Sequence, residues 1–152
     1  MNEVSGLLAE IQQGAQELNG ASDSINLTIG AIEQKLVEAN VGLECWLDSE
    51  PIFRGDGESW VDDRDAKHTG WKETVLGFAK LDEGWKLAVR EREIDAKGLQ
   101  QTVENREPTP LWRASRLLRI AALKKMPTLL QRIRYALDEA LEAIASAKKL
   151  VE

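Results

Sequence analysis

Cys45 and His68 are the only cysteine and the only histidine in the chain, so nucleophilic attack and proton transfer near neutral pH have one candidate each. Cys45 lies in "VGLECWL", on the same side as Leu43 and Leu47 if that stretch is a strand, where the expected role is a small buried hydrophobe. A single cysteine builds neither an internal disulfide nor a thiolate metal site. His68 closes the run "DSEPIFRGDGESWVDDRDAKHTG" in the company of Asp56, Glu58, Asp62, Asp63 and Asp65. These side chains are of the type that binds a hard cation. Their spacing departs from the calcium loop D-x-[DN]-x-[DN]-G-x5-E and the glycines fall elsewhere, so the expectation is a solvated loop without a metal. The sequence holds no G-x-S-x-G, no P-loop, no G-x-G-x-x-G, no H-E-x-x-H and no C-x-x-C. It therefore reads as non-catalytic and free of cofactors.

Charge offers a second kind of chemistry. The stretch "TPLWRASRLLRIAALKKMPTLLQRIRYAL", residues 109–137, carries seven Lys or Arg and no carboxylate in a chain of formal net charge -6. Residues 1–40 hold six acids and one base, and residues 108–152 hold nine bases and four acids. Arg113, Arg116, Lys124 and Arg134 fall on one side of a helical wheel, with Leu117 and Ile120 projecting among them. A solvated face that offsets the acids of the first forty residues is the simplest use of such a stretch. Burial against another protein, including a second copy, is the reading favoured by Leu117 and Ile120. Phosphate or nucleic-acid binding through Arg113, Arg116, Arg119, Lys124 and Lys125 is the alternative, weakened by the negative charge of the rest of the chain.

Four of the five tryptophans, Trp46, Trp60, Trp71 and Trp85, fall in the middle of the chain, and Trp112 follows directly after it. The expected role is a core joining sheet to helix ends. Trp60, alone among acids, is the candidate for an exposed binding face.

The elements that must position these groups follow from periodicity. Val4, Leu8, Ile11, Ala15, Leu18, Ser22, Ile25, Ile29, Ile32, Leu36 and Ala39 step by four and three without a miss, which predicts a helix over residues 3–40 with a coiled-coil seam. Met126, Leu130, Ile133, Leu137, Ala140, Ile144, Ala147 and Val151 repeat the pattern. They predict a second helix over 110–151, capped by Thr109 with Pro110 at its first position and kinked near Pro127. Between them "ETVLGFAKLDEGWKLAVREREI" reads as two strands around a three-residue Asp82-Glu83-Gly84 loop. A third strand is expected at "VGLECWL", a short fourth around Gln101–Glu104, and a polar acidic loop over 49–69.

The resulting expectation is one α+β domain, residues 1–152. A long antiparallel helical hairpin, coiled-coil-like, carries a small antiparallel sheet, 41–107, inserted between the helices at one end. Glu17, Asp23, Glu33 and Glu38 then face the basic stretch. Leu7, Leu117, Ile120 and Leu129 form a second stripe that a homodimer would cover. Nothing approaches a membrane span, the start is acidic rather than signal-like, and the expected location is the cytoplasm. The functional expectation is an interaction or adaptor protein that associates with itself and with a protein partner yet to be identified, through Trp60, Leu117, Ile120, Arg113, Arg116 and Lys124.

Overall fold

A computed structural model describes residues 2–152. Helix α1, Glu3–Glu38, leads into strands β1, Cys45–Trp46, β2, Phe53–Arg54, β3, Glu58–Val61, β4, Lys67–Leu81, β5, Gly84–Lys97, β6, Gln100–Asn105, and β7, Thr109–Pro110. A 3-10 turn, Leu111–Arg113, precedes helix α2, Arg116–Lys149. All seven strands belong to one antiparallel sheet ordered β1-β4-β5-β6, with β2 and β3 also paired to β4 and β7 to β5.

The expected helical hairpin with a small sheet is wrong. The sheet is the body of the molecule, and the helices flank it rather than zip along one another. One reason is the length of the central hairpin, in which β4 and β5 pair without a slip from His68 opposite Lys97 to Leu81 opposite Gly84. Its turn is the two residues Asp82-Glu83, with Gly84 at φ 112° as its closing partner. A second reason is that the expected loop 49–69 folds. Phe53–Arg54 and Glu58–Val61 pair with β4, Trp60 lying opposite His68. The turn between β3 and β4 is tied by Asp62, whose Oδ1 accepts the backbone N–H groups of Arg64 and Ala66 at 2.8 and 3.0 Å.

Strand alternation assigns faces. Leu76 and Phe78 of β4, with their partners Val89 and Leu87 of β5, point at the helices. There they meet Ile29 of α1 and Ala122, Met126, Leu129 and Ile133 of α2, all buried. Burial of aliphatic and aromatic area at about 25 cal/mol per Å2 is what holds this half together. On the other face Trp46 lies over Gly77, where an added Cβ would sit 2.2 Å from the ring, and Arg90 stacks on Trp46 at 4.2 Å. Arg92 bridges Glu73 at 3.2 Å and Asp48 at 3.7 Å, so this face is closed by tryptophan and paired charge instead of a helix.

Each helix is used over part of its length. In α1 only Ser22 and Ile29 are buried, with Ile25, Ile32 and Leu36 half-buried, and every residue from Asn2 to Ala21 is exposed. In α2 the buried positions are Ala122, Met126, Leu129 and Ile133, and everything from Leu141 onward is exposed. Leu129, expected on an outer stripe, is fully buried, and Ile120 is half-buried. The helices touch where Arg116 donates to Asn19 at 2.8 Å and Arg119 donates to Asn26. Residue numbers rise together in these contacts, the reverse of the antiparallel register. α2 starts later than expected, at the N-cap Ser115, whose Oγ accepts Leu118 N–H at 3.3 Å; Pro110 belongs to β7, and the helix runs on through Pro127.

Candidate interaction surfaces

The helical stripe is the first surface. Val4, Leu8 and Ile11 remain 68, 61 and 64 % exposed, although their spacing is that of a packed seam. Ile144 and Val151 at the far end of α2 are 53 and 88 % exposed. Isolated single hydrophobes on a surface are ordinary, whereas these form a three-four row along one helix face.

The basic stretch does not form one patch. Arg113 lies in the 3-10 turn, pairs with Glu83 at 2.6 Å and covers Trp112. Arg116 and Arg119 are engaged with the side-chain amides of Asn19 and Asn26. Lys124 is exposed on α2, and Leu117, two turns earlier in the same helix, is 79 % exposed. Among the described residues no ion pair joins an acid of α1 to a base of α2; the expected partner Glu33 turns to the sheet, its Oε1 accepting Leu87 N–H at 2.8 Å and its Oε2 lying 3.5 Å from Lys86 Nζ.

The tryptophans separate instead of gathering. Trp46 closes the face away from the helices, Trp71 carries Arg54 on its ring at 4.4 Å, and Trp85 stacks on Phe78 at the edge of the core. Trp112 and Trp60 remain about half exposed.

Trp60 belongs to the second surface, a half-open groove of about 730 Å3 on the distal half of the helix-facing side of the sheet. Its ring lies over Gly70, where a Cβ would come within 2.8 Å, and stacks on His68 at 5.2 Å with 11° between the planes. Phe53 lines the groove beside it, and Glu58, Glu93, Asp95 and Glu104 contribute carboxylates. His68 is held from both sides: Nε2 lies 2.6 Å from Asp62 and Nδ1 lies 2.8 Å from Asp95. Two carboxylate acceptors require a proton on each ring nitrogen, which is the imidazolium. The hydrogen bond to Asp62, then that to Asp95, pushes the His68 pKa up, and the same bond brings Asp62 down to about 2. His68 thus serves as a cationic brace between the β3–β4 turn and β5, with both nitrogens committed and neither free to take a proton from a substrate. Burial raises the Cys45 thiol pKa, which keeps the sulfur protonated and poorly nucleophilic. No group of three His, Cys, Asp or Glu side chains suited to a metal occurs among the described residues.

Sequence reasoning missed the groove because it needs β3 folded back on β4. The available signal was the short alternation "ESWV" and "KHTG" around an Asp-rich turn. No known family model, curated protein or solved structure matches the chain. Among the described residues no helix is long and apolar enough to cross a membrane.

Proposed function

We propose that this chain is a non-catalytic interaction protein whose exposed helical arm, residues 3–18 of α1, docks on a helix of a partner. The observation that carries the proposal is the bare seam itself: Val4, Leu8, Ile11 and Leu18 keep the spacing of a packed helix face while the folded chain leaves them open to water. Gly6 and Gly14 strengthen it. Each weakens a solitary helix by about 1 kcal/mol relative to alanine, and an added Cβ at either position meets nothing, so neither glycine serves packing within the chain. A long exposed helix with such interruptions draws its stability from a cover.

A photo-reactive amino acid in place of Leu7, which lies beside the seam, tests this in the native host. A covalent adduct to a protein is expected, and it should vanish when Leu8→Asp and Ile11→Asp are added. Absence of any adduct sinks the proposal. The competing use of α2 as a polyanion surface predicts binding to a nucleic-acid duplex that weakens steeply with salt, whereas an apolar seam contact changes little.

A further inference from the structure

We draw no further inference here: the strongest candidate, the groove that Phe53, Trp60 and the carboxylates Asp56, Glu58 and Glu104 line on the distal half of the sheet, is an exposed acidic cluster beside two aromatic rings, and nothing in the structure shows what covers it.

Discussion

The two halves of α1 make a controlled comparison within one helix. Residues 22–36 and residues 4–18 share one apolar period, yet the first row lies against β5, the 3-10 turn and α2, and the second lies in water. What separates them is reach. The sheet ends where β5 begins, at Gly84, and Glu33 of α1 meets it there at Leu87. A periodic row of aliphatics therefore encodes a face, and the rest of the chain decides what covers it.

Truncation sharpens the contrast most. Ile29→Ala should lower the stability of the folded chain by about 2–5 kcal/mol, since Ile29 is 2 % exposed among Leu76, Phe78 and Leu129. Ile11→Ala, on the same face two and a half heptads earlier, should change it by less than about 0.5 kcal/mol in the monomer, as read from urea unfolding at low protein concentration. Equal losses at the two sites would mean that the arm is packed in the monomer after all.

Next in size are two glycines that make room for tryptophans, one in each half of β4. Gly77→Ala places a methyl 2.6 Å from the Cys45 carbonyl oxygen as well as against the Trp46 ring, and a backbone atom cannot step aside. A loss of about 1–3 kcal/mol is expected. Gly70→Ala meets only the far edge of the exposed Trp60 ring at under 3 Å, so the ring should swing away with a smaller loss and a change in Trp60 emission.

Gly14→Ala should act in the opposite direction. With nothing near its Cβ, it should raise helix content by circular dichroism and stabilise the arm by up to about 1 kcal/mol.

The smallest effect is pH-dependent and confined to the distal half. His68 has its pKa raised above its ordinary 6.5, so its contribution is complete below that pH and is lost as pH climbs through the raised value. Asp62 is lowered to about 2 from 3.8, so its contribution is complete above 3.8 and is lost as pH falls towards 2. The turn between β3 and β4 should be firmest between those limits. His68→Gln should flatten the profile when amide exchange at Arg64 and Ala66 is followed against pH, and leave exchange at Leu87 unchanged.

Helix spans were legible because periodicity over five heptads is a local signal, and the expected helix over 3–40 stands beside an observed Glu3–Glu38. The architecture was not. Matching seams on two helices invite an antiparallel pairing, but Leu76, Phe78, Leu87 and Val89 offer both helices a competing apolar surface, and alternation in a strand does not announce how wide its sheet will grow. The start of α2 was displaced by Ser115, a capping residue indistinguishable in the sequence from Thr109 seven positions ahead of the helix. At the sites, Trp60 was singled out and its platform was not. His68 looked idle in a loop because both of its carboxylate partners depend on strand pairing, Asp95 standing 27 residues away.

The carboxylate of Glu33 has one more consequence. It occupies the N–H of Leu87, which β6 and β7 leave unpaired at the outer margin of β5. A helix side chain thus stoppers a strand edge that could otherwise recruit a neighbouring chain into a growing ribbon. The stopper is translated 54 positions before the amide it seals. During synthesis α1 therefore precedes the strand whose margin it seals.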